Sequence, residues 1–352
     1  GFIRGIQRIG GFGGKSDLLA TCQTYTGDPG CYQKNAAYID AVTPSKMKAT
    51  FVKWIDDAPY VLTILPTDKY AVAETDLDRS AGIPFPTDKV KFQFPKLQTA
   101  TLSNGAKVVL AQRTGVPLVE INLQFNFGYA QEDKDQLGYT NFMMDMLNEG
   151  TRKYSSLEFD EILDSLGSNI GFGSGLDTSF VSISALKTNL NETLDLAKEA
   201  VIYPTFPLAE IERIKKQTLA AFKREEFRPA SIAFRNIGNL LYGKDHPYGK
   251  LLIGSGVSET IDDLSQLDLF SIHKRTLNPN NLTFVVAGDI SLDEITETLE
   301  NKFGSWQADT STPLKELPTV SLPEKRVIYL IDKPNAKQSY IVAGQLLPPT
   351  AT

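Results

Sequence analysis

The sequence predicts an α+β fold: a mixed or antiparallel sheet covered by helices. Three observations predict it. A hairpin signal, TATLSNGAKVVLAQR, places β-rich arms on either side of Asn104-Gly105. Capping-box helix starts recur downstream of it, at Ser155/Glu158, Ser265/Asp268 and Ser291/Glu294. Strands and helices then follow in mixed order, without the regular alternation of a wound parallel sheet.

Composition bounds what such a chain does. The 352 residues are 41% hydrophobic and 22% charged, which belongs to soluble globular chains and excludes disordered, collagen-like and coiled-coil classes. A net charge of −6 argues against nucleic acid or an anionic membrane as the main partner. No apolar run reaches the roughly 18 residues of a membrane span. Only two histidines are present, His246 and His273, so chemistry that needs a cluster of imidazoles has to come from elsewhere. Cys22 and Cys31 flank the turn TYTGDPG. A bridge between them suits a periplasmic or secreted protein, and two reduced thiols in a cytoplasmic one are the alternative.

The elements read in order as follows. Ser16 and Asp17 cap a helix through LLATCQTY, GDPG stops it, and a second helix runs from Tyr32 to Ile39. A third runs from Ser45 to Asp57, with Met47, Phe51 and Ile55 at helical spacing. Tyr60 to Leu65 reads as a strand, and Pro66 to Pro95 as an extended linker rich in Asp, Thr, Lys and Pro. After the hairpin, Leu118 to Phe127 alternates as a strand. Ser155 boxes a helix through Phe159, Ile162, Leu163 and Leu166 that Gly167 ends. A strand over Ser179–Leu186 follows, then a helix from Asn191 that stops before Pro204. Glu210 to Glu226 is a long helix with Ile211, Ile214, Leu219 and Phe222 inward and Glu212/Lys216 as an i,i+4 pair. Ser265 starts another helix, Leu282 to Ala287 is a buried strand, and Ser291 boxes a helix ending at Gly304. A last strand is expected at Val327–Ile331.

Two local motifs carry little chemistry. IGGFGGKS resembles the end of a phosphate-binding loop, but Ile9 stands where the pattern asks for its first Gly, and a glycine-rich turn into a helix is the better reading. The histidines lie on different elements with no shared helical face, so each reads as a lone structural or surface residue. No serine or cysteine sits in a nucleophile elbow.

The stretch LGYTNFMMDMLNEGT, Leu137 to Thr151, reads as an apolar helix that buries Phe142, Met143, Met144, Met146 and Leu147 and ends at Gly150. It resembles the active-site helix of the pitrilysin/insulinase-type zinc peptidases, whose pattern is G-x-x-H-x-x-E-H-M-L-x-x-G-T. Gly138, Met146, Leu147, Gly150 and Thr151 fall on the framework positions. Asn141 stands at the first His, Met144 at the catalytic Glu and Asp145 at the second His. Aligning FPLAEIERIKKQTLAAFK with the family's later helix puts Ala220 or Ala221 at the third ligand, a Glu. Gly167 to Asn169 with SFVSISAL, then PTFPLAEIER, DHPYG and TLNPNNLTFVVAGDIS, match later landmarks in order. RIGGFGGKSD, YTGDPG and AVTPSKM resemble the close of a preceding domain.

The resemblance implies a processing-peptidase-like division: 1–75 as the closing part of one domain, 76–97 as linker, 98–320 as a complete catalytically degenerate domain and 321–352 as the start of another. Both ends then read as cut from a longer protein. The implied role is the non-catalytic half of a zinc endopeptidase, with no catalytic residue and no metal in this chain and with zinc in the intact parent. The implied partners are the zinc-bearing half and peptide substrates, while homodimerisation is left open. The edge strand with Asn169, Gly171 and Gly173 is the candidate peptide-binding element. A non-proteolytic scaffold subunit of the same family is the competing reading.

Overall fold

A computed structural model of the chain describes residues 13–55, 61–63, 95–250, 254–308, 314–320 and most of 325–347. It divides into two compact units, Gly1–Phe94 and Pro95–Thr352. The expected linker Pro66–Pro95 lies outside the described residues except for Pro95.

The first unit contains α1 (Lys15–Thr26), α2 (Cys31–Asp40) and α3 (Pro44–Trp54). Ser16 and Asp17 are not the cap of α1. The helix starts two residues earlier than a Ser16 cap would set it, because Gly13 takes φ +77°, a turn that leaves Gly14 as the N-cap and places both polar residues inside the first helical turn. Gly27, at φ +71°, ends α1. Cys22 and Cys31 are joined in a disulfide that ties α1 to the start of α2. Thr43 Oγ1 accepts the Lys46 amide at the start of α3. α3 ends at Trp54 instead of reaching Asp57, because Ile55 leaves helical geometry at φ −126°. Residues 61–63 of the expected strand Tyr60–Leu65 are not in a strand, and they are exposed, with no neighbouring strand to take up their backbone groups among the described residues.

The second unit is built on a six-stranded sheet of β1 (Gln98–Thr101), β2 (Lys107–Gln112), β3 (Leu118–Phe125), β4 (Asn169–Ser174), β5 (Ser179–Leu186) and β6 (Leu282–Gly288), in the order β1-β2-β6-β3-β5-β4. Only β2 and β6 run parallel among these pairs. The hairpin turns at Asn104-Gly105 as expected. Gly105 takes the positive φ, while Asn104 Nδ2 donates to the carbonyls of Phe303 and Trp306, at 2.9 and 3.0 Å. Alternation sends Ile121, Leu123, Phe125, Val181, Ile183, Phe284 and Val286 into one core. Asn122, Gln124, Phe180, Ser182 and Val285 point from the opposite, exposed face.

The helices of this unit are α4 (Tyr139–Asp145), α5 (Ser156–Ser165), α6 (Leu190–Ile202), α7 (Leu208–Phe227), α8 (Pro229–Tyr242), α9 (Ser258–Asp263), α10 (Gln266–Thr276) and α11 (Leu292–Phe303). The capping boxes of α5 and α10 form in full, and Ser291 accepts the Glu294 amide at the start of α11. Arg213 on α7 pairs with Glu210 and Glu149, so the ion pairs of this helix are not the expected Glu212/Lys216. Sequence reading did not anticipate α8, although Pro229 at its first turn is a start signal. Val327–Ile331 is not a strand. Ile328 and Leu330 are more than nine-tenths exposed, and no described strand lies beside them to complete a ladder.

The disulfide makes a stability prediction. Its sequence separation is 9, and closing a loop of that size in the unfolded chain contributes about 2.5 kcal/mol. Replacing Cys31 by Ser, or adding a reductant, is expected to lower the stability of the first unit by about that much. Thiol titration of the unreduced, denatured chain should find no free sulfhydryl, and two free thiols would remove the clip from the account.

Candidate functional site

The site is where α4 packs along β4, the outermost strand at one end of the sheet. The first turn of α4 needs acceptors for its free amides, and Glu132 supplies them from the preceding loop. Its carboxylate accepts from the amides of Gly138, at 2.9 Å, and Thr140, at 2.6 Å. Glu132 is almost fully buried, and burial pushes its pKa up to about 7 against the opposing pull of those amides. The loop is pinned from outside: Lys315 donates to the Glu132 carbonyl at 2.8 Å and pairs with Asp133 at 2.7 Å, and Lys250 donates to the same carbonyl. A cavity of about 10 Å³, lined by Tyr129, Glu132, Gly138, Lys250 and Gly254, leaves space on the scale of one water there.

Gly138 takes φ +92°, and a Cβ on it would stand 2.7 Å from Gly256 Cα, so no other residue fits the start of α4. The helix is shorter than expected and ends at Asp145. Leu147 and Glu149 bond back three residues, to Met144 and Met146, which tightens the chain into turns before Gly150. The reason is a clamp beyond it. Gly150 accepts the Thr205 amide, Thr151 bridges to Pro204, and the Arg152 guanidinium lies 3.8 Å from the centre of the Tyr203 ring. The framework residues of the sequence pattern therefore have packing roles.

The three chemistry positions have separate fates. Asn141 Nδ2 donates to the Gly254 carbonyl at 2.8 Å. Met144 is fully buried with Phe142, Met143, Met146 and Leu147. Asp145 retains substantial exposure, yet the protein around its carboxyl and then the Glu149 carboxylate push its pKa up to about 6. Ala220 and Ala221 lie on α7, the first exposed and the second half-buried. An amide already committed to a carbonyl, a buried thioether, one carboxylate and a methyl do not make a zinc site. Among the described residues no group of three His, Cys, Asp or Glu side chains is placed to hold a metal ion.

The histidines stand apart from this site in separate structural roles. His246 Nδ1 accepts the Tyr248 amide and its Nε2–H donates to the Pro318 carbonyl at 3.1 Å. His273 donates to the Val201 carbonyl at 2.8 Å, and burial pushes its pKa down to about 4. On β4, Gly171 and Gly173 face the side chains of β5. A Cβ would stand 2.9 Å from Ser182 Oγ at the first and 2.7 Å from the Phe180 ring at the second, and Asn169 opens the strand exposed to solvent. Sequence reasoning missed Glu132, whose only signal was an acidic residue a few positions before a helix start.

Residues 107–253 match the family described as Insulinase (Peptidase family M16), and residues 263–352 match its Peptidase M16 inactive domain. The chain belongs to the M16 peptidase family. It is similar to the non-peptidase homologue YmxG of Helicobacter pylori, 26% identical over 214 residues that cover 59% of this chain and 49% of the relative. Its fold is similar to the crystal structure of a peptidase M16 inactive domain from Pseudomonas fluorescens, with TM-score 0.60 and 26% identity over 65% of this chain and 54% of that one. It is also similar to the periplasmic protease PqqL from Escherichia coli, with TM-score 0.59 and 21% identity over 66% of this chain and 26% of that one. The chain spans about half the length of the curated relatives it matches first.

In this M16 domain Glu132 sets a pH dependence. Its pKa is higher folded than unfolded, so its contribution to stability is complete below the unfolded value and is lost as pH rises through about 7. Asp145, raised to about 6, acts in the same direction. Denaturant unfolding from about pH 5 to about pH 8 is expected to show falling stability in the wild type and a flatter profile in Glu132→Gln. Equal slopes in the two proteins would remove Glu132 as the source.

Proposed function

We propose that this chain is the non-catalytic half of a zinc metalloendopeptidase, walling a substrate chamber and holding extended peptides for a zinc centre that lies outside these residues. The observation that carries this reading is the identity of the side chains on α4. The helix keeps its framework beside an edge strand, while Asn141, Met144 and Asp145 supply neither the two imidazoles nor the proton acceptor that a hydrolytic zinc requires. In this reading 98–320 is the complete degenerate domain, 1–75 closes a preceding one, 76–97 links them and 321–352 opens a following one.

The outer edge of β4, with Asn169, Gly171 and Gly173, is the proposed peptide contact, since an unpaired strand edge offers backbone donors and acceptors to an extended chain. The zinc-bearing half is the proposed partner. The Cys22–Cys31 disulfide supports an oxidising compartment, periplasmic or secreted, as does the periplasmic relative. A scaffold subunit that never takes part in proteolysis is the second reading, favoured by the name of the Helicobacter relative, a non-peptidase homologue.

Purified alone, the chain is expected to hold far less than stoichiometric zinc and to show no chelator-sensitive peptidase activity. Stoichiometric zinc lost on replacing Asp145 by Ala would overturn the non-catalytic assignment. Added to a separately expressed zinc-bearing half, the chain is expected to raise cleavage of an extended peptide. Binding without any gain in cleavage would favour the scaffold reading.

A further inference from the structure

A cavity of about 340 Å³ lies between the end of α6, the last turns of α10 and the chain that follows α11. That volume is at the small end of the roughly 300–1,000 Å³ of small-molecule sites. The apolar part of its wall is Ile202, Phe270, Leu277, Pro279 and Trp306. Trp306 is half-buried: it meets the Phe125 ring edge to face in the core, with ring centres 6.2 Å apart, and it also bounds the cavity. Pro204 belongs to the same wall and is bridged to Thr151, so the cavity backs onto the loop that ends α4.

His273 stands in this wall with its ring fixed by two contacts. Nε2 lies 2.8 Å from the Val201 carbonyl, and Phe206 packs against the ring at a steep angle, 73°, with centres 5.9 Å apart. A carbonyl only accepts, so the proton is on Nε2, and an imidazole held neutral by burial then carries a bare lone pair on Nδ1. No described residue donates to Nδ1, and the atom is not sealed in the core. Asn278, also in the wall, uses its Oδ1 to accept the Asn280 amide at 2.9 Å. A ligand that complements these surroundings has a flat apolar body for the Trp306 and Phe270 rings and one hydrogen-bond donor for Nδ1. A cationic donor does not fit, since the burial and the Lys274 ammonium that hold the imidazole neutral also penalise a second positive charge. A carboxylate would set its lone pairs against that of Nδ1.

We propose that this cavity is a binding site for a small uncharged aromatic molecule with one N–H or O–H donor, of the indole or phenol class, which donates to His273 Nδ1 and packs against Trp306. The site stands under either reading of the function above.

Trp306 reports its own occupancy. The chain has two tryptophans, Trp54 and Trp306, so protein carrying isotope-labelled tryptophan gives two indole N–H resonances, which Trp54→Phe assigns. Indole and p-cresol are titrated beside indene and p-xylene, which keep the shape and lack the donor. The Trp306 resonance is expected to shift saturably with indole and p-cresol, half-complete below about 1 mM, while the Trp54 resonance stays in place. The donor-free partners are expected to bind about threefold to tenfold more weakly, the worth of one hydrogen bond. In His273→Phe, which keeps a ring and loses the acceptor, indole is expected to lose its advantage over indene. Ala308→Phe fills the cavity from its edge, and none of the four molecules is expected to move the Trp306 resonance there. A Trp306 resonance that indole and p-cresol leave unmoved in the wild type would overturn the proposal. So would donor-free partners that bind as tightly as the donors, because the cavity would then be an apolar hole that ignores His273. That comparison is made in the wild type, so it decides the question even where His273→Phe fails to fold. Shifts that persist unchanged in Ala308→Phe would place the ligand elsewhere and overturn it as well.

Discussion

The first turn of α4 is buried, and its amide hydrogens need an acceptor there. The Glu132 carboxylate, accepting from Gly138 and Thr140, is that acceptor, and the placement of Asn141, Met144 and Asp145 beside β4 depends on it. The arrangement is costly because a carboxylate is kept out of water with backbone amides as its main partners. The lysines that pin the loop, Lys250 and Lys315, reach its carbonyl and Asp133, and they fix the geometry from the outside. The protein thus holds α4 at both ends: a charged acceptor at the start, and the clamp of Gly150 and Thr151 on the Tyr203–Pro207 loop at the end.

What could be read from the sequence follows from which interactions are local. The α5 and α10 capping boxes involve residues three apart, and they form as written. β5 begins and ends where its alternation does, at Ser179 and Leu186. The end of α4 was not legible, because the residues that terminate it, Tyr203 to Pro207, are more than fifty positions away and act through tertiary contact. The same holds for Glu132, which reads as an ordinary loop charge until the fold buries it. Val327–Ile331 failed in the opposite sense: its β propensity is real, but propensity makes a strand only where another strand supplies the ladder.

At the site, residue identities were legible and their surroundings were not. That Asn141, Met144 and Asp145 stand on one helix follows from spacing, although its early end at Asp145 does not. That the Asn141 amide is already used by Gly254, and that Gly173 has no side chain because the Phe180 ring occupies its place, required coordinates. The Gly173–Phe180 contact tempers the peptide-binding argument, since an aromatic ring shielding a strand glycine stabilises the sheet whether or not a peptide binds.

Met144 decides how deep the departure from a hydrolytic helix runs. A proton-accepting Glu in a zinc site needs an open face, with the ion and its water in front of it. Met144 instead lies at zero exposure among Phe142, Met143 and Leu147, and its thioether fills volume that belongs to the core. Placing a carboxylate there would bury an acid without a counter-charge, and the group would take up a proton sooner than act as a base. Returning imidazoles to 141 and 145 would leave that obstacle in place and would also remove the Asn141–Gly254 hydrogen bond. The packing suits the present residues, so the non-catalytic character proposed for this domain rests on the burial of Met144 in the core as much as on the identities of Asn141 and Asp145.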